Sequence, residues 1–239
     1  MWRPSRSHFI SMLALVWLGV VFFWLSQPPK SPPPFPSTGD NLIPSRSIYN
    51  PILAASLDQG LRDYWQKPGQ VLAELGDLSG QHVADIGCGE GYFTLPLLEL
   101  TRPDGEVLAT DIQPELLAAL SEKVPPEQRQ RIRLIQSQPK DIGIREKVDW
   151  ILVVQVLAEV EDQRAFLLQL RGIMDDHAKL AIIDSKHFTD PTTGYTRPLS
   201  LQKLKEDFET LGFRLVAQID LLPKQFFFIL AKGPVQKTG

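Results

Sequence analysis

The stretch Val83-Ala84-Asp85-Ile86-Gly87-Cys88-Gly89-Glu90-Gly91-Tyr92-Phe93-Thr94 decides how the rest of the chain is read. A short apolar run ends in an acid, glycines follow at every second position, and an aromatic helix start comes after. Without Cβ atoms, Gly87, Gly89 and Gly91 let the backbone turn tightly and approach a ligand. Such a turn serves a plain bend, a dinucleotide or another adenosine-bearing cofactor, and the surrounding sequence must choose.

Outward from the turn, strand and helix patterns alternate. His82 to Ile86 reads as a buried strand and Tyr92 to Leu100 as a helix. Glu106 to Thr110 is a second strand, and a helix runs from Pro114 to Lys123. Ile132 to Gln136 gives a third strand, and VDWILVV, Val148 to Val154, is an apolar run suited to a strand covered on both faces. Gln163 to Met174 repeats apolar residues at helical spacing. Lys179 to Ile183 makes a fifth strand, and Leu201 to Leu211 a helix closed by Gly212. Phe213 to Ile219 and Gln225 to Ala231 read as an antiparallel pair. Before the turn, Leu57 to Trp65 and Val71 to Leu75 read as short helices, with Pro68 near a helix start. The expected fold is α/β: a doubly wound, mostly parallel, seven-stranded Rossmann-like sheet with a C-terminal antiparallel hairpin, preceded by an N-terminal transmembrane helix.

That last element rests on FISMLALVWLGVVFFWL, Phe9 to Leu25, seventeen residues without a charge. At 1.5 Å per residue it spans about 25 Å, close to a hydrocarbon core of ~30 Å. No A-x-A pattern precedes a cleavage point, as a signal peptide requires. A core helix is disfavoured because bulky apolar residues cover every face. An uncleaved single-pass membrane anchor over 1–27 is therefore expected, followed by a proline-rich linker over 28–48 and the folded α/β domain over 49–235. Arg3 and Arg6 before the span, against Lys30 behind it, tilt the domain away from the cytoplasm; the side it faces stays open.

The chain has 239 residues, 43% of them hydrophobic, and a net charge of −3, so it can bury a core and carries no basic nucleic-acid footprint. Cys88 is the sole cysteine, and it shows no metal-ligand spacing with the four histidines, so neither a disulfide nor a metal site is expected.

In a doubly wound sheet, ligands bind beyond the carboxyl ends of the strands. Asp111, in VLATDIQPELL, stands at such an end, 24 residues after Gly87 (111 − 87), where a carboxylate can accept both hydroxyls of a ribose. Glycine turn and strand-end acid together point to an adenosine-type cofactor. Dinucleotide turns read G-x-G-x-x-G, whereas this one reads G-x-G-x-G with Asp85 two residues ahead. A carboxylate there suits a ligand with an ammonium and a sulfonium better than an anionic pyrophosphate.

Asp85-Ile86-Gly87-Cys88-Gly89-Glu90-Gly91 resembles motif I of the class I S-adenosylmethionine-dependent methyltransferases. RDYWQKPGQVLAELGDLSGQHVADIGCGEGYFT resembles a bacterial subgroup in which a W-Q-K/R-P helix precedes that motif. ATDIQPELLAAL resembles its second motif, which implies Asp111 on the ribose and Ile112 against adenine. KVDWILVVQVLAEVED corresponds to the fourth strand and the loop over the methyl-transfer site, and LQKLKEDFETLGFRL to the helix and strand before the terminal hairpin. The cofactor set expected from the resemblance is Asp85, Gly87, Cys88, Gly89, Gly91, Asp111, Ile112, Ser137, Gln138 and Gln155. Cys88 reads as a small packing residue within that turn. Two departures stand out. Where many relatives carry an acid for the adenine amino group, this chain has QSQPKD, so Ser137 or Gln138 takes that role and Asp141 reads as a loop acid. At Leu157-Ala158-Glu159 the subgroup often shows an aromatic and a histidine.

The implied reaction is methyl transfer from S-adenosyl-L-methionine to an unidentified, small or lipophilic acceptor. Glu159 and His187 are the catalytic candidates, with Asp184 also at a strand end; His187, Tyr195 and Arg197 share SKHFTDPTTGYTRP, read as a lid-like loop. A base is needed only if the acceptor is a protonated oxygen or nitrogen. Glu159 reads equally as part of an acidic helix N-terminal turn, and Trp65 as a core residue or a pocket cap. Two other functions stay open: a catalytically degenerate S-adenosylmethionine-binding module and a nicotinamide-dependent oxidoreductase.

Overall fold

A computed structural model describes residues 59–189 and 196–234 of the chain. The expected anchor over 1–27 and linker over 28–48 lie outside these residues. Among the described residues, no helix is long and apolar enough to cross a membrane.

Two short helices, α1 (Gln59–Gln66) and α2 (Pro68–Ala73), precede the sheet. They are divided by Lys67, whose left-handed backbone (φ 49°) breaks the first helix, while Pro68 occupies the first turn of the second. The second helix therefore starts three residues before its expected position at Val71. The sheet then begins with β1 (His82–Ile86). Next come α3 (Thr94–Leu100), β2 (Glu106–Asp111), α4 (Pro114–Lys123) and β3 (Ile132–Gln136). After these the chain forms β4 (Val148–Val154), α5 (Gln163–Ile173) and β5 (Met174–Ser185). A small ribbon, β6 (His187–Thr189) with β7 (Thr196–Pro198), leads to α6 (Leu201–Thr210), β8 (Phe213–Gln218) and β9 (Gln225–Lys232).

The seven-stranded sheet runs β3-β2-β1-β4-β5-β9-β8. The first five strands in that order pair in parallel, and β9 is antiparallel to both β5 and β8. The expected sheet and C-terminal hairpin are present. Three further differences stand out. The helix after the glycine turn starts at Thr94 rather than Tyr92, because the turn continues through Phe93. The fifth strand reaches back to Met174, which pairs with Val148 before the register shifts; the polar 175–177 segment hid that extension. The stretch after β5, expected as a loop, pairs His187 with Pro198 and Thr189 with Thr196.

Side chains alternate across the sheet, as strand pleating requires. Ala84, Ile151, Ile182, Phe226 and Phe228 face α5 and α6 through Leu167, Leu170, Leu204 and Phe208. Val83, Leu152, Ile183 and Phe227 face the other layer through Val71, Leu97, Leu98 and Leu120. Asp85 follows Ala84 and so lies on this second side. The two layers leave the carboxyl ends of β1 to β5 as one rim.

Candidate active site

At that rim the three glycines all have positive φ, 71° at Gly87, 55° at Gly89 and 90° at Gly91, yet each answers a different neighbour. A Cβ on Gly87 would meet Val156 Cγ2 at 2.3 Å, and one on Gly91 would meet Leu120 Cδ1 at 2.3 Å. A Cβ on Gly89 would meet nothing within 4 Å. The outer glycines thus admit packing from the turn after β4 and from α4, and the central one opens to free space. That is the geometry of a backbone cradle.

Asp111 closes the cradle from β2. It is 7% exposed; Oδ2 accepts from the Gly89 N–H at 3.0 Å and Oδ1 from the Gln113 N–H at 2.9 Å. Two backbone donors therefore aim the carboxylate at the space in front of Gly89, with lone pairs left for a diol. Ile112, next in the chain, is 38% exposed, a large apolar side chain left uncovered beside the acid. The buried Ser137 donates its N–H to the Asp111 carbonyl at 3.0 Å, which puts it at the cradle. Gln138 is different: its side chain is exposed and its backbone pairs with Asp141. Asp141 is a loop acid, held to about 2 by the hydrogen bond from Arg145 and bonded also by the Gly143 N–H.

Asp85 lies beneath the turn, 3% exposed, and accepts from the Thr94 hydroxyl at 2.6 Å. Burial pushes its carboxyl up to about 6 and Asp111 adds to the rise; the Thr94 hydrogen bond and the Arg62 charge oppose it. Arg62, from α1, stacks 3.9 Å above the Tyr92 ring, and Tyr92 donates to Asp63 at 2.5 Å. Helix α1 therefore reaches the glycine turn. Cys88 is buried, and burial pushes its thiol far up, which suits packing rather than nucleophilic attack.

On the neighbouring strands, Gln155 follows the last residue of β4 with φ 58° and donates its N–H to the Ile183 carbonyl at 2.8 Å. A non-glycine residue in that region is strained and marks a site the fold holds in place. Its conformation delivers Val156 to Gly87. Asp184 is 1% exposed and accepts from the Ala158 N–H at 3.1 Å and the Ser185 N–H at 2.7 Å. It braces the turn Leu157–Glu159 after β4. Glu159 ends that turn and is half-buried. It is not in the first turn of α5, whose cap is Asp162, accepting from the Ala165 N–H at 2.9 Å. His187 is exposed on the β6 ribbon, its N–H directed to Ser185 Oγ at 3.1 Å. Tyr195 lies outside the described residues, and Trp65 is half-buried on α1. Sequence reasoning missed Arg62, Thr94 and Val156 as parts of this site. Arg62 opens the RDYWQKP run, and that run was the one available signal.

Residues 84–180 match the methyltransferase domain family. The demethylmenaquinone methyltransferase of Lactococcus lactis is 23% identical over 130 residues, covering 54% of this chain and 51% of that protein. The magnesium-protoporphyrin O-methyltransferase of Rhodobacter capsulatus is 41% identical over 56 residues, 23% of this chain and 24% of that one. The chain spans about half the length of the first of these relatives. Among solved structures, a SAM-dependent methyltransferase from Aquifex aeolicus is 25% identical with a TM-score of 0.66, covering 77% of this chain and 98% of that one. Magnesium protoporphyrin IX methyltransferase from Synechocystis, with S-adenosylhomocysteine bound, shares the fold at 17% identity and a TM-score of 0.58, covering 74% and 89%. S-adenosylmethionine is the cofactor of this fold and family, and the G-x-G-x-G spacing read against a dinucleotide agrees with it.

Proposed function

We infer, from the premise that residues 84–180 belong to the class I S-adenosylmethionine-dependent methyltransferases, that this protein transfers a methyl group to a lipophilic acceptor at the carboxyl rim of β1 to β5. The observation that carries the reading is the cradle itself: open space at Gly89, faced by an Asp111 carboxylate that two backbone N–H groups aim. The residues present fit the cofactor. Asp111 would take the ribose diol, Ile112 one face of adenine, Ser137 the adenine edge and Asp85 the ammonium. S-adenosylmethionine, when bound, supplies a methyl on a sulfonium whose sulfur is already a good leaving group.

The chain's own work is then positioning, which can supply roughly 7–11 kcal/mol of barrier lowering. A lone pair on the acceptor forms the new bond to the methyl carbon as the carbon–sulfur bond breaks. A protonated oxygen or nitrogen acceptor must also lose its proton, and Glu159, in the turn braced by Asp184, is the base we assign. His187 on the ribbon is the second candidate. The relatives, a demethylmenaquinone methyltransferase and a magnesium-protoporphyrin O-methyltransferase, support a lipophilic acceptor, as does the apolar run Phe9 to Leu25, which we read as a membrane tether. A reporter fused after Gly239, read on each side of the membrane, tests the tether and its orientation.

Calorimetry of S-adenosylmethionine against the full chain, beside Asp111→Ala and an NAD control, tests the cofactor assignment. Tight binding that the variant loses, with no NAD signal, is expected. A panel of quinone, lipid and protein acceptors then tests turnover; cofactor binding with no product from any of them favours the degenerate module, which the missing histidine near Glu159 motivates.

A further inference from the structure

Helix α1 is fastened to the rim at two levels. At its carboxyl end, Gln66 Nε2 donates to Gln225 Oε1 at 3.0 Å and Lys67 Nζ to the Leu221 carbonyl at 3.1 Å. One turn earlier, the Tyr92 hydroxyl donates to Asp63 at 2.5 Å, and the Arg62 guanidinium lies 3.9 Å from the centre of the same ring. Tyr92 follows Gly91 directly, so the helix is clamped to the glycine turn itself. A guanidinium stacked on an aromatic face keeps its plane and position better than one reaching into water. Arg62 is half-buried, and its charge is felt by Asp85 beneath the turn.

That position matters because of the group assigned to Asp85. The methionine end of the cofactor carries its ammonium and its carboxylate on one carbon. If Asp85 takes the ammonium, the carboxylate comes to rest beside it, near the negative charges of Asp85 and Asp111. Asp85 is 3% exposed and Asp111 7%, so water screens little of the repulsion, and a cation is needed there. Lys123 also reaches the glycine turn, but it pairs with Glu90 at 2.6 Å and both side chains are exposed. Arg62 acts on Asp85 from α1, and its planar fork matches a carboxylate in shape and charge.

We propose that Arg62, held over Tyr92 at the glycine turn, binds the carboxylate of the cofactor's methionine end, so that the site recognises a complete α-amino acid rather than an amine alone. Asp85 and Arg62 then take the two halves of one zwitterion, the acid from beneath the turn and the base from α1. Tyr92 and Asp63 serve this contact by fixing the helix, and with it the guanidinium, against the turn. The assignment rests on the S-adenosylmethionine reading.

S-adenosyl-3-thiopropylamine keeps the adenosine, sulfur and ammonium of S-adenosylhomocysteine and lacks only its carboxylate. Both ligands are titrated into the purified full chain by calorimetry. Wild type is expected to prefer S-adenosylhomocysteine about 30-fold, the worth of a charge-assisted hydrogen-bonded pair. Arg62→Met keeps an apolar stem against Tyr92 and removes the charge, so the preference should shrink to within about threefold while affinity for the amine does not fall. Because both ligands carry the ammonium, any effect of the substitution on Asp85 cancels in that ratio. Arg62→Lys, with charge but no fork, should keep an intermediate preference of about tenfold. Equal wild-type affinity for the two ligands overturns the proposal, and so does a folded Met variant that keeps the full preference. A Met variant that loses both ligands alike also overturns it, because Arg62 would then support the turn rather than hold the carboxylate. If the Met variant does not fold, the Lys variant decides, and an undiminished preference there overturns the assignment. Binding of neither ligand by wild type overturns the cofactor reading itself, whereas equal binding of both leaves that reading standing.

Discussion

At the ends of β1 and β2 the rim is made from one turn and the acid that follows it: Gly89 and Asp111 are 22 residues apart and joined by a backbone hydrogen bond. At the ends of β5 and β9 it is made by long reach, with Gln66 and Gln225 joined across 159 residues of chain. The first region is built from backbone N–H groups and a carboxylate aimed by them. The second relies on side chains brought together by sheet order.

That contrast is broken most sharply at Asp111. Asp111→Ala removes the ribose acceptor and frees the Gly89 and Gln113 N–H groups, so S-adenosylhomocysteine affinity should drop about 100-fold in calorimetry. The glycines separate folding from binding. Gly87→Ala should lower stability by about 3 kcal/mol, from left-handed strain plus collision with Val156, and thermal melting reads it. Gly89→Ala meets no neighbour, so it should cost only about 1 kcal/mol of stability while weakening the cofactor about tenfold. Similar losses of stability in both variants would show that the central glycine is structural as well.

On the other side of the rim, Asp184→Ala strands the Ala158 and Ser185 N–H groups. It should lower stability by about 2 kcal/mol and slow turnover, with cofactor affinity within about threefold of wild type. A large loss of cofactor affinity in this variant would dissolve the distinction between the two regions.

Asp85 gives the comparison a pH axis. Its folded carboxyl, near 6, titrates above its ordinary value of 3.8, so it stabilises the fold only at low pH and that contribution disappears as pH rises through about 6. Asp85→Asn should therefore raise stability by about 2 kcal/mol at pH 8 and by much less at pH 4. If the ionised acid holds the ligand ammonium as proposed, wild-type cofactor affinity should weaken as pH falls below about 6, a dependence the Asn variant should lack. The smallest effect is expected at Arg145→Ala: it breaks an exposed pair with Asp141, away from the cradle, and should leave Tm and cofactor affinity unchanged.

Local sequence determined a great deal here. The parallel strands were legible because each is an apolar run bounded by turn residues, and the cradle because glycines and strand-end acids occupy fixed places relative to those runs. Asp85, Gly89 and Asp111 stand where such reasoning put them. What it left open depended on contacts from elsewhere. Ser137 or Gln138 was expected at the adenine edge; Ser137 bonds the Asp111 carbonyl, while Gln138 pairs its backbone with Asp141 and leaves its side chain exposed. Asp184 had the look of a free strand-end acid; two backbone N–H groups convert it into a brace. The lid-like stretch pairs with itself as a ribbon. Sequence alone thus settled the class of fold and the type of cofactor, since both follow from periodicity and from residues close along one turn. The outer reasons for Gly87 and Gly91, the reach of α1 over the glycine turn and the meeting of Gln66 with Gln225 belonged to the tertiary structure, because packing and hydrogen bonding across sheet order leave no periodic trace in the chain.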